Sequence, residues 1–82
     1  MKQLIKFSAS WCQPCKSLAG NFKYVDLKDV EFKEVDIEEE SELSNQYGIR
    51  GVPTMVLLED GKEVKRHTGV LMADGIEKFI HE

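Results

Sequence analysis

A chain of 82 residues with a formal net charge of -4 and 41% apolar side chains fits one domain, residues 1–82, built around a single small core. The surplus of Asp and Glu argues against sequence-independent nucleic-acid binding, which needs a basic surface, and no apolar run reaches membrane-spanning length. Met1-Lys2-Gln3 enters the first apolar stretch without a secretory cleavage site, so a cytoplasmic location is expected. There thiols are kept reduced, and Cys12 and Cys15 read as a catalytic or metal-binding pair rather than a structural staple.

Gln3 to Ala9 has the length and apolar content of a strand. The pattern then changes to helical spacing, with Cys15, Leu18, Phe22 and Val25 on one stripe. Val30 to Ile37 sets Phe32 and Val35 among charges and reads as a second strand. Glu38 to Glu42 puts carboxylates where a helix start favours them, and the short helix should run to about Tyr47, with Gly48 ending it. After Pro53, Thr54 to Leu58 is a continuous apolar run typical of a strand buried on both faces. Asp60-Gly61 is a strong hairpin signal and returns the chain as Glu63 to Thr68. Met72, Ile76, Phe79 and Ile80 mark a final amphipathic helix. The expected fold is α/β: a mixed four-stranded sheet in the order βαβαββα, with three flanking helices. A right-handed crossover makes the first two strands parallel.

Trp11-Cys12-Gln13-Pro14-Cys15-Lys16 falls where the first strand gives way to the first helix. A helix start offers unpaired N–H groups and a positive partial charge, which favour a thiolate at Cys12. Cys15, one turn further in and in line with Leu18, is expected to be buried and protonated until a mixed disulfide forms. Pro14 lacks an N–H and suits the first helical turn. These positions imply thiol–disulfide exchange: Cys12 attacks a substrate disulfide, and Cys15 then attacks the Cys12 sulfur and releases the reduced substrate. No metal or organic cofactor is required. A tetrahedral metal site needs four ligands, and only His67 and His81 remain, on a late strand and at the end of the last helix. Met55 and Met72 read as core filler.

Phe7 to Lys16 resembles the active-site segment of the thioredoxin family, and Tyr47-Gly48-Ile49-Arg50-Gly51-Val52-Pro53-Thr54 resembles that family's second signature. The likeness continues through Asp60-Gly61-Lys62 and Thr68-Gly69-Val70 and covers nearly the whole chain. It implies a cis Pro53 facing the cysteines and a substrate strand pairing with the backbone at Val52. Trp11, Gln13, Pro14, Val52, Gly69 and Val70 are then expected to ring an exposed Cys12 sulfur as an apolar platform for partner proteins. The implied activity is a monomeric protein-disulfide reductase, a thioredoxin-type electron carrier recharged by a thioredoxin reductase or an equivalent donor. Its partners are proteins carrying disulfides, with no nucleic acid or membrane among them. Two other readings remain open on the sequence: a docking module in which the cysteines are secondary, and a glutaredoxin-like electron carrier to a specific enzyme.

Three departures from the family pattern stand out. Gln13 replaces the usual Gly. The family's opening strand and helix have no counterpart, as in compact forms of glutaredoxin-like size, which makes Val30 to Ile37 a sheet edge whose Glu31, Lys33 and Glu34 discourage unwanted pairing. Third, Lys6 occupies the position of a buried Asp in the family, and Glu34 that of a common Lys. Strand alternation puts Lys6 on the face of Leu4 and Glu34 on the face of Phe32, close enough across ~4.8 Å between strands to pair beneath the first helix. Such a pair would stabilise a Cys15 thiolate through Lys6, accept its proton through Glu34, or do no more than neutralise Lys6 at an exposed edge.

Overall fold

The computed structural model describes residues 1–82. Strand β1 (Lys2–Ser8) leads into helix α1 (Gln13–Asn21) and a 3-10 turn at Phe22–Tyr24. Then follow β2 (Val30–Asp36), α2 (Ser41–Gln46), β3 (Thr54–Glu59), β4 (Lys62–Thr68) and α3 (Ala73–His81). The strands form one sheet in the order β2-β1-β3-β4, with β1 parallel to β2 and antiparallel to β3, and with β3 and β4 antiparallel. This is the expected βαβαββα architecture.

Side-chain alternation sorts the sheet into two packed faces. Leu4, Met55 and Leu57 meet Leu18 of α1 and Ile76 and Ile80 of α3. Ile5, Phe7, Val35, Val56 and Leu58 point the other way, under Leu43 of α2 and under Tyr47 and Ile49 beyond it. The central strands β1 and β3 are therefore apolar on both faces, while the edge strand β2 exposes Glu31, Lys33 and Glu34. Each fully buried Leu or Ile in this core contributes about 1.5–3 kcal/mol over an exposed one, and that burial fixes where α1 sits on the sheet.

The helix ends depart from the expected stripes where weak helix formers meet competing hydrogen-bond partners. α1 stops at Asn21 rather than running through Val25. Gly20 and Asn21 are weak helix formers, and the Asn21 amide is drawn away to donate to the Leu71 carbonyl at 2.8 Å. Phe22 and Val25 still pack on the core from outside the helix. Glu38 to Glu40 form a turn rather than a helix start. The Asp36 carboxylate accepts the N–H groups of Glu38 and Glu39 at 2.8 and 3.3 Å, and the Asp36 carbonyl accepts that of Glu40 at 2.9 Å. This local alternative to helix delays α2 until Ser41.

Gly48 ends the α2 segment at φ 65°, and Asp60 and Gly61, at φ 52° and 84°, make the hairpin turn. Pairing of Leu57 with Lys65 and of Leu58 with Glu63 leaves Val64 as an extra residue in β4. Met72, read as core filler, is exposed instead: it occupies the N-cap of α3, in extended conformation. Only Met55 of the two is in the core. The far end of α3 is held by two lysines, Lys2 donating to the Ile80 carbonyl at 2.9 Å and Lys65 to that of Phe79 at 3.1 Å. Both cations sit where the helix dipole favours them.

Candidate active site

The strand-to-helix junction places the two cysteines as the sequence implied. Cys12 is the N-cap of α1, with Pro14 in the first turn, and Cys15 follows at the third helical position. The two form a disulfide, with their Cα atoms 5.2 Å apart. The Cys15 N–H also donates to Cys12 Sγ at 3.1 Å, so this sulfur takes the place that a Ser or Asp oxygen fills at an ordinary N-cap. A helix N-terminus whose free N–H groups point at a sulfur stabilises negative charge there.

One expectation requires correction. Cys12 is not an exposed sulfur within a ring of loops: both cysteines are only 4% exposed in this oxidised form. The disulfide-bonded pair packs with Ala9 against Ile37 and Val52. Exposure therefore does not separate the two sulfurs here; their positions at the helix start do.

The residues expected to form the platform differ in exposure. Trp11 (65% exposed), Gln13, Pro14 and Val70 (40% exposed) lie at the surface, while Val52 and Gly69 are half-buried and Pro53 is fully buried. The Val52–Pro53 peptide bond is cis, as the resemblance implied. Two bridges tie this loop to the end of β4. The Gly69 N–H donates to the Pro53 carbonyl at 2.9 Å. The Thr54 hydroxyl donates to the Gly51 carbonyl at 2.6 Å and lies 3.1 Å from the Thr68 hydroxyl. Gly69 sits at φ 117°, which side-chain-bearing residues rarely adopt. The backbone of Val52 takes part in none of the turn and loop hydrogen bonds of the chain, and Val52 packs against the cluster of Ala9 and the two cysteines.

Arg66 braces the same loop from β4. Its guanidinium donates to the Tyr47 carbonyl at 2.8 Å and makes a two-pronged contact with Glu63 at 2.7 and 2.8 Å. Those hydrogen bonds hold the Glu63 carboxyl below the ordinary carboxylate range. Sequence reading missed Thr54, Ile37 and Arg66 as supports of the site. A hydroxyl directly after a proline, inside an otherwise apolar strand, was the one available signal among them.

Below α1, Lys6 and Glu34 are register partners on β1 and β2 and form an ion pair at 2.8 Å. It is lopsided: Lys6 is 3% exposed and Glu34 53%. The Lys6 ammonium also lies 5.3 Å from the centre of the Phe22 ring, and that ring packs at a tilt against Phe32. The histidines stand elsewhere, His67 edge-on to the Phe79 ring and His81 beside the Asp26 carbonyl.

Comparison with known proteins agrees with this geometry. The thioredoxin family model matches residues 1–82. Thioredoxin from Mycoplasmoides gallisepticum is 35% identical over 81 residues, covering 96% of this chain and 81% of the relative. Thioredoxin from Chlamydia trachomatis is 38% identical over 79 residues, covering 94% and 78%. Among solved structures, a thioredoxin variant from Halobacterium salinarum superposes with a TM-score of 0.87 at 34% identity, covering 96% of this chain and 71% of that one.

Proposed function

The chain belongs to the thioredoxin family and is a thiol–disulfide oxidoreductase that reduces protein disulfides; we propose that Cys12 is its attacking sulfur, Cys15 its resolving sulfur, and Trp11, Gln13, Pro14, Val52, Pro53, Gly69 and Val70 its substrate surface. The observation that carries this assignment is the placement of Cys12 at the N-cap of α1, with the Cys15 N–H directed at its sulfur. In the reduced protein that N–H and the helix dipole favour a thiolate at Cys12. The thiolate attacks one sulfur of a substrate disulfide; the new bond is Cys12 Sγ to that sulfur, and the other substrate sulfur leaves as a thiolate. Cys15 then attacks Cys12 Sγ, the mixed disulfide breaks, and the protein is left oxidised. The two electrons that reduce the substrate come from the Cys12 and Cys15 thiols themselves, so the exchange calls for no metal or organic cofactor.

An extended substrate segment alongside Val52 supplies backbone pairing that does not depend on sequence, and exposed Trp11 and Val70 supply apolar contact. The chain works as a monomer in the cytoplasm, where a thioredoxin reductase or an equivalent donor returns electrons to the disulfide. The test is alkylation of the reduced protein near neutral pH with a limiting reagent. Cys12 should be labelled well before Cys15, and a Cys15→Ser variant should accumulate covalent adducts with substrate through Cys12. Equal labelling of the two thiols would overturn the assignment.

A further inference from the structure

For the resolving step Cys15 must lose a proton, yet its side chain is 4% exposed and packs among Ala9, Cys12, Ile37 and Val52. One opening reaches it. A cleft of about 140 Å³ runs between α1 at Cys15, Lys16 and Ala19, the end of β1 at Ser8, and Glu34 on β2. That is room for water, and its serine hydroxyls can both donate and accept. The titratable side chains lining it are the Cys15 thiol, the Lys16 ammonium and the Glu34 carboxylate. A charged ammonium accepts no proton, so Glu34 is the one base in the cleft.

We infer that Glu34 takes the Cys15 proton through water in this cleft as Cys15 attacks the mixed disulfide, and that buried Lys6 positions the Glu34 carboxylate for this. The inference rests on Cys15 being the resolving sulfur. Lys6 holds Glu34 Oε2 at 2.8 Å and leaves Oε1 free to meet water. The charges facing Glu34 are Lys6 from β1 and Lys16 from α1; on its own strand Asp36 has an oxygen engaged by the N–H groups of Glu38 and Glu39. A carboxylate is a weaker base than a thiolate, so the proton moves together with the attack, as in general-base catalysis. The bond from Cys15 Sγ to Cys12 Sγ forms and the bond from Cys12 Sγ to the substrate sulfur breaks. The substrate sulfur leaves with the electron pair, and half-exposed Glu34 passes the proton to solvent, where the substrate thiolate is protonated.

The test follows the reduced protein reacting with dithiobis-nitrobenzoate in a stopped-flow absorbance experiment from pH 6 to 9. The first thionitrobenzoate released reports attack by Cys12 and the second reports attack by Cys15. Glu34→Gln should leave the first phase within about twofold and slow the second at least tenfold at pH 7, with the gap closing as pH rises and hydroxide takes over. Because Glu34→Gln leaves Lys6 buried and unpaired, the double variant Lys6→Met/Glu34→Gln is measured beside it, and it should show the same slowing. Glu34→Asp should fall between parent and Gln. A second phase at the parental rate in Glu34→Gln, or slowing that vanishes in the double variant, would overturn the role of Glu34. A Cys12→Ser variant with an unchanged first phase would instead overturn the order of attack itself.

Discussion

Leu18→Ala isolates the packing that holds α1, and with it both cysteines, on the sheet. Leu18 is fully buried and meets Leu4, Met55, Leu57, Ile76 and Ile80, so its truncation removes apolar burial and leaves a cavity that three elements surround. Comparable Leu→Ala changes cost about 2.7–5.0 kcal/mol, and about 3 kcal/mol is expected here because Phe22 and Leu71 at the margin can partly relax inward. A domain of 82 residues has a total stability of about 4–12 kcal/mol, so the variant should still fold, with a Tm lowered by about 12–24 °C. Urea unfolding of the oxidised protein, fitted with an unchanged m-value, measures the loss directly. The neighbouring surface change Ser17→Ala serves as a control and should stay within about 0.5 kcal/mol. A loss below about 1 kcal/mol for Leu18→Ala would refute the view that this side chain seats the active-site helix.

Gly69→Ala forces a side chain onto a φ of 117° and should cost about 1–3 kcal/mol; thermal unfolding checks this, and disulfide reduction should fall as the Gly69-to-Pro53 hydrogen bond is lost. Glu63 has a lowered folded-state pKa owing to its hydrogen bonds from Arg66, so its contribution is present above the unfolded carboxylate pKa and is lost as pH falls through the lower folded value. Glu63→Gln should therefore flatten the acid limb of the stability profile below about pH 4.5. The two side chains are 37% and 34% exposed and screened by solvent, so the effect should stay under about 1 kcal/mol at neutral pH, as chemical denaturation across that range would show.

What could be read from the sequence was what depends on neighbours in the chain or on simple alternation. The Cys12 cap, Pro14 in the first helical turn and the Asp60-Gly61 turn are local, and each appears where its residue type dictates. The facing of Lys6 and Glu34 follows from strand alternation together with parallel pairing, and the structure brings them into contact. What was misread depends on competing hydrogen bonds at element ends or on partners distant in the chain. Met72 fits a helical stripe by spacing, but the chain enters α3 one residue later and leaves it outside. Glu38 to Glu40 resemble a helix start until the Asp36 carboxylate claims their N–H groups. The seclusion of Cys12 arises from Ile37 and Val52, which come from segments 25 and 40 residues away and meet only in the folded chain. The cleft joining Cys15 to Glu34 likewise exists only once β2 has docked beside β1.

The central claim is that the Cys12–Cys15 pair carries electrons to protein disulfides, and turnover of a protein disulfide tests it most directly. With dithiothreitol as donor and insulin as substrate, the parent protein should accelerate disulfide reduction well above the uncatalysed rate. Cys12→Ser and the double variant Cys12→Ser/Cys15→Ser should fall to that background, and Cys15→Ser should stall as a covalent adduct. A double variant that retained the parental rate would contradict the account.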